Sequence, residues 1–187
     1  VGFYIQIVMR LKDCHSFTDF RELARRRLPS PIFNYIDGAA DDESTYDRNT
    51  KSFEDCDLVP NVLRGVQDID MSVEILGQRL DMPIYCSPTA LQRVFHHQGE
   101  NAVAAAADKY GTLFGVSSLG TVSLADVRKR YPGPQCYQFY FHKDRELNKV
   151  MLENAKNANV DIMMLTVDTI TGGNRERDLK TGFSIPF

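Results

Sequence analysis

The sequence predicts an α/β fold built on parallel strands. Between residues 83 and 168, apolar strand-like runs alternate with helical runs through about four strands. The four runs PIYCSPTA, TLFGVSSLG, QCYQFYF and DIMMLTVD are almost continuously apolar, as strands covered on both faces are. Each also places polar residues toward its carboxyl end, where parallel α/β proteins bind their ligands. A doubly wound sheet and a (β/α)8 barrel both satisfy this pattern.

The elements follow in order. Ser16 precedes FTDFRELARRRL, in which Phe17, Phe20, Leu23, Ala24 and Leu28 recur at helical spacing, with Asp19 completing a capping box. Pro29 and Pro31 end this helix, and Pro31 suits the first turn of a second helix, which closes on Gly38. Asp41, Asp42 and Glu43 open a third helix with acids at its positive end, and Tyr46 and Phe53 are its expected core contacts. Residues 70–83 read as a β-hairpin turning near Gly77. Then come a strand (83–90), an alanine-rich helix (96–111), a strand (112–120) and a helix capped by Ser123 (123–131). A strand (135–141), a helix (145–160) and a strand (161–168) complete the pattern. Residues 1–82 are thus expected as an N-terminal part of helices and hairpin, and residues 83–187 as a β/α part.

The chain has 187 residues, 43% hydrophobic and 25% charged, a globular composition. A net charge of −3 provides no basic footprint for nucleic acid. Arg25, Arg26 and Arg27 read as a solvated helix face. Cys14, Cys56, Cys86 and Cys136 form no CxxC pair, so no metal site is expected from them. Cys86 and Cys136 lie in apolar runs and read as small buried thiols, suited to a reducing cytoplasm. The stretch VGFYIQIV is too short for a membrane span and carries no cleavage signal. Met9 is the expected natural start, with residues 1–8 upstream of it. The adjacent pair His96 and His97 is expected to point apart at a helix start. No GxGxxG follows the first strand, and no GxxxxGK[ST] occurs.

The polar strand ends carry the functional signal: Ser87 to Ala90, Ser117 with Ser118, Gln138 with Tyr140, and Thr166 with Asp168. Gln138 and Tyr140 share a face, as do Thr166 and Asp168, with Met164 beneath them. Hydroxyls, phenols and one amide suit a flat heteroaromatic ring with alternating donors and acceptors, such as a flavin's pyrimidine edge. Arg175, just beyond the fourth strand, offers a fork suited to a carboxylate.

At these residues the sequence resembles the FMN-dependent 2-hydroxy acid dehydrogenase and oxidase family, which includes glycolate oxidase, mandelate dehydrogenase and the cytochrome-linked L-lactate dehydrogenases. The resemblance runs from about residue 16 onward. It is carried by LPSPIFNYIDGAADDEST, MPIYCSPTALQ, GVSSLGTVS, YQFYFHKDR and LTVDTITGGNRERDL. It implies a (β/α)8 TIM barrel, here about its first four β/α units, preceded by helices and a hairpin. It implies FMN as cofactor, held by Pro88, Thr89, Ala90, Ser117, Gln138 and Thr166. It assigns Tyr35, Tyr140 and Arg175 to a small 2-hydroxy acid substrate, and counts Tyr140 among the catalytic residues as well. Asp168 matches the carboxylate that orients a catalytic histidine. Leu119 stands where some oxidases carry tryptophan.

The implied reaction is oxidation of an L-2-hydroxy acid, foremost L-lactate to pyruvate. The electrons pass to a quinone, a cytochrome or, in an oxidase, to oxygen. A catalytically dead remnant acting as a binding module is the alternative from another class. The resemblance further implies a homo-oligomer at full length and a cytoplasmic enzyme, in some relatives peripheral on the inner face of the cell membrane. None of His15, His96, His97 or His142 falls at the family's catalytic position, which belongs to a later strand. The family's flavin-contacting lysine, principal substrate arginine and phosphate-binding loops also belong to later segments. A (β/α)8 barrel needs about 250 residues, so the chain is expected to be part of a longer enzyme. By itself it is expected neither to hold FMN tightly nor to turn over. Gly172 and Gly173 read as a hinge for the loop that follows.

Overall fold

The computed structural model describes residues 9–169 and 171–184. The expectation that Met9 is the start concerns residues 1–8, which lie outside the described residues. The chain divides into two compact units, one holding the residues up to Val59 together with those from Gly172, the other Pro60–Thr171. The hairpin belongs with the β/α part, and the segment after Gly172 belongs with the N-terminal helices.

The first unit begins with a 3-10 turn, Leu11–Asp13, and helix α1, Phe17–Arg27. Ser16 caps α1 as the sequence indicates: its hydroxyl accepts from the Asp19 N–H at 3.2 Å, and the Asp19 carboxylate accepts from the Ser16 N–H at 2.9 Å. Helix α2, Ser30–Asp37, has Pro31 in its first turn and stops at Gly38. Leu23 and Phe33 are the buried apolar residues of these two helices, while Phe17 is exposed. Helix α3, Ser44–Lys51, starts later than expected because Asp41 and Glu43 adopt positive φ (50° and 58°), which a helix cannot contain. Phe53 is not a core residue; it is 77% exposed on a second 3-10 turn, Ser52–Asp55. Tyr46 is half-buried beneath the Arg21 guanidinium, 5.7 Å from its ring centre.

In the second unit, β1 (Val73–Ile75) and β2 (Gln78–Leu80) form the expected hairpin. Leu76 and Gly77 both take positive φ (48° and 76°), the combination a two-residue hairpin turn demands. Next come α4 (Gln92–Phe95), α5 (Glu100–Lys109), β3 (Phe114–Ser117) and α6 (Leu124–Arg130). They are followed by β4 (Gln135–Tyr140), α7 (Arg145–Asn157) and β5 (Ile162–Thr166). Helix α8, Glu176–Thr181, lies in the first unit. Strands β3, β4 and β5 form one parallel sheet in that order.

The first strand, 83–90, is reduced to one bridge between Cys86 and Phe114. Cys86 donates to the Leu113 carbonyl at 3.0 Å and accepts from the Gly115 N–H at 2.8 Å. The next donor in a parallel ladder would be residue 88, a proline without an N–H. The helix expected over 96–111 begins only at Glu100, because Gly99 at φ +52° cannot belong to it, and the short α4 (Gln92–Phe95) stands apart before it. His96 and His97 therefore precede α5, and their rings lie 4.3 Å apart rather than pointing away from each other.

The sheet has two different faces. Tyr137 and Phe139 of β4 pack on Ala155, Leu124 and Met151 of α6 and α7. The opposite face is apolar toward the strand starts, where Cys136, Ile162 and Met164 meet Leu80 and Leu113. Toward the strand ends it becomes polar. On β5, Met163, Leu165 and Val167 are 44%, 57% and 75% exposed, an outer face that no helix covers among the described residues.

Candidate functional site

The pairing register sets a row of polar side chains. Ser117 stands opposite Gln138, and Thr166 opposite Tyr140. Because successive strand residues alternate in face, Cys136, Gln138 and Tyr140 point to one side of β4, as Ile162, Met164 and Thr166 do on β5. Gln138 is 4% exposed and joins the three strands. Its Nε2 donates to Thr166 Oγ1 at 2.7 Å. Its Oε1 accepts from Ser117 Oγ at 3.3 Å and from the Ser118 N–H at 3.4 Å. Ser117 Oγ also accepts from the Leu119 N–H at 3.1 Å, which fixes the turn leaving β3. Thr166 Oγ1, serving as acceptor to Gln138, keeps its own proton for a further acceptor. Ser117, Gln138 and Thr166 are thus brought together, with donors and acceptors in alternation. That set fits the edge of a flavin ring.

The segment before this row is packed against β3. A Cβ at Gly115 would stand 2.6 Å from Pro88 Cδ, so glycine is what allows the Pro88 ring onto the strand. Thr89 is anchored by Gln92, whose Nε2 reaches Thr89 Oγ1 at 2.7 Å. The Leu91 N–H donates to the Leu119 carbonyl at 3.1 Å, joining the turn after Ala90 to the turn after Ser117. Tyr140 is half-buried at the end of β4. Asp168 is exposed beyond the end of β5, not within the strand, and no hydrogen bond or ion pair reaches it among the described residues. Burial raises the pKa of the Cys86, Cys136 and Tyr137 side chains, which favours the protonated form of each.

Tyr35 and Arg175 belong to the first unit, where they meet directly. The Arg175 guanidinium lies 5.1 Å from the centre of the Tyr35 ring. It donates to the carbonyls of Tyr35 and of Gly38, the latter at 3.1 Å, and pairs with Asp178 at 2.5 Å. Phe183 stacks on Tyr35 with ring centres 4.2 Å apart. Next to this cluster, Asp37 receives Arg21 at 2.5 Å and Arg177 at 2.9 Å, and Arg177 also pairs with Glu43. The Arg21 guanidinium, with a smaller contribution from Arg177, holds the Asp37 carboxyl below the usual carboxylate range. A Cβ at Gly172 would meet nothing within 4 Å, whereas one at Gly173 would stand 3.1 Å from Ala40 Cβ. Sequence reading did not find Asp178, Phe183 or the Asp37 ion pairs. Only the i, i+3 spacing of Arg175 and Asp178 hinted at the first.

Residues 24–187 match the family described as FMN-dependent dehydrogenase. Glycolate oxidase 5 of Oryza sativa subsp. japonica is 36% identical over 169 residues, covering 90% of this chain and 46% of that protein. The L-lactate dehydrogenase of Vibrio parahaemolyticus is 38% identical over 169 residues, covering 90% and 45%. Among solved structures, a mandelate oxidase bound to 3,3-difluoro-2-hydroxy-3-phenylpropionic acid superposes with a TM-score of 0.85 at 31% identity, covering 90% of this chain and 51% of that one. An active chimera of (S)-mandelate dehydrogenase superposes with a TM-score of 0.86 at 34% identity, covering 90% and 48%. The chain spans about half the length of the relatives it matches.

Proposed function

Because the chain belongs to the FMN-dependent dehydrogenase family, we propose that it supplies the flavin-binding first part, about four β/α units of a (β/α)8 barrel, of an enzyme oxidising an L-2-hydroxy acid. L-lactate, converted to pyruvate, is the proposed substrate. The activity is assigned to the protein that joins this chain to a second half of the kind its relatives carry. The observation that carries the reading is the Ser117–Gln138–Thr166 row at the strand ends.

FMN, when bound, supplies the acceptor for the two electrons of the alcohol. The remaining Nε2 hydrogen of Gln138 and the hydroxyl proton of Thr166 would serve as donors to a ring edge, and Ser117 keeps Gln138 in its orientation. Pro88, Thr89 and Ala90 would form the backbone wall beside the ring. Tyr35 and Arg175 of the first unit and, separately, Tyr140 of the second are the residues that the family resemblance assigns to the substrate's oxygens. A carboxylate reaching Arg175 competes with Asp178 and the two carbonyls that now occupy it. Asp168, with no partner among the described residues, is free to orient and charge-stabilise a histidine from the second half. The likeness to an L-lactate dehydrogenase at 38% identity supports lactate. The likeness to a glycolate oxidase at 36% supports oxygen as a second candidate acceptor beside quinone or cytochrome. The free cysteines fit a reducing cytoplasm, with any membrane contact peripheral. Among the described residues no helix is long and apolar enough to cross a membrane.

The test is a visible absorbance scan of the purified two-half protein. Bound flavin that bleaches anaerobically with L-lactate, and more slowly with glycolate or mandelate, is expected. A protein without flavin, or one whose flavin stays oxidised with all three acids, refutes the reading.

A further inference from the structure

Glu100 is a fully buried carboxylate with no part in the proposed chemistry. It is the first residue of α5. A carboxylate is costly to bury unless its oxygens are satisfied, and here both are satisfied by a single residue. Its Oε1 accepts from the Thr121 N–H at 2.7 Å and its Oε2 from the Thr121 hydroxyl at 2.7 Å. Thr121 Oγ1 in turn accepts from the Arg93 N–H at 3.1 Å.

Glycines admit the chain on both sides of this node. A Cβ at Gly99, where φ is +52°, would stand 2.6 Å from Arg93 Cγ and 3.3 Å from Thr121 Oγ1. A Cβ at Gly120 would stand 3.0 Å from the Ser117 carbonyl oxygen and 3.4 Å from Glu100 Oε1. The node therefore joins three pieces of chain: the start of α5, the α4 segment that follows Pro88–Ala90, and the turn that follows Ser117. The Leu91–Leu119 bond is a further tie between those last two pieces.

We propose that Glu100 is a positioning residue for the flavin site. Through Thr121 it holds the 88–91 turn and the 117–121 turn in one register, so that Pro88–Ala90 and Ser117 meet the cofactor together. The proposal rests on the FMN reading above.

The test uses the two-half protein and reads the FMN dissociation constant with the visible circular dichroism of the bound flavin. Glu100→Ala and Thr121→Val each remove hydrogen bonds to the carboxylate, and each is expected to weaken FMN about tenfold and alter the dichroism. The double variant is expected to lose clearly less than the product of the two single losses, since the two residues share one node. Thr121→Ser, which keeps the hydroxyl, is expected to bind as the parent does. If Glu100→Ala fails to fold, the Thr121→Val and Thr121→Ser pair decides the matter. Variants that melt earlier but bind FMN with unchanged affinity and dichroism overturn the positioning role, as do single effects that multiply in the double variant. A parent protein that binds no FMN overturns the functional reading and this proposal with it, whereas binding by the parent separates the two.

Discussion

The strand-end row and the Tyr35–Arg175 cluster are both polar, but they are held by different forces. Ser117, Gln138 and Thr166 stand on three strands whose ladders fix their spacing, and their bonds are uncharged. Tyr35 and Arg175 stand at a helix and at a helix entry. Charged contacts fix them there: Asp178 on Arg175, and Arg21, Arg177 and Glu43 around Asp37. The row is preorganised by backbone geometry. The cluster is preorganised by electrostatics, which salt and pH can loosen.

The largest expected effect is on the row. Gln138→Leu leaves the Ser117 hydroxyl proton and the Ser118 N–H without the Gln138 acceptor, and Thr166 Oγ1 without the Gln138 donor. Unpaired groups in a buried site should destabilise the protein by about 2–3 kcal/mol. Urea unfolding in low and in molar salt checks this. The loss should be equal in both, because no charge is involved. A loss that shrinks with salt would break the distinction between the two regions.

That distinction also decided what could be read from the sequence. Parity along QCYQFYF and DIMMLTVD placed Gln138, Tyr140 and Thr166 on one face, because side chains in a strand alternate without exception once the register is set. The shortened first strand was foreseeable in principle, since Pro88 cannot donate to a ladder, but the apolar run around Cys86 masked it. The cluster was far less legible. Arg175 and Tyr35 are 140 positions apart along the chain, and no periodicity links Asp37 to Arg177. Phe183 reaches Tyr35 only because α8 packs on α2. Asp168 was read as continuing the face of Thr166, but β5 ends at Thr166, so parity says nothing about it.

A smaller effect is expected from Asp37→Asn. Its carboxylate is 9% exposed, but Arg21 and Arg177 are 44% and 35% exposed, so solvent screens much of the attraction. A loss of about 1–2 kcal/mol is expected, falling in molar salt. The sign of the pH dependence follows from the lowered pKa. A carboxyl whose folded value lies below its unfolded value, about 3.9, stabilises the fold fully above that value. The contribution fades as pH falls through the lower folded value. The parent and Asp37→Asn stability curves should therefore run parallel near neutrality and converge in acid. Curves that stay parallel through the acid range would show that Arg21 and Arg177 contribute nothing through charge.

The smallest effect is expected at Phe183, and it tests whether charge alone holds the cluster. Phe183 carries no charge, yet its ring stacks on Tyr35 at an interplanar angle of 13°. Phe183→Leu keeps an apolar side chain of similar size and removes the stacking, worth about 0.5–1 kcal/mol beyond the area buried. Stability should fall by that amount, independently of salt. In the two-half protein the substrate KM should rise while kcat changes little, since Tyr35 would be less well held for binding but the reacting groups would be untouched. Equal falls in kcat and kcat/KM would instead place Tyr35 in the transition state and make its ring packing part of catalysis.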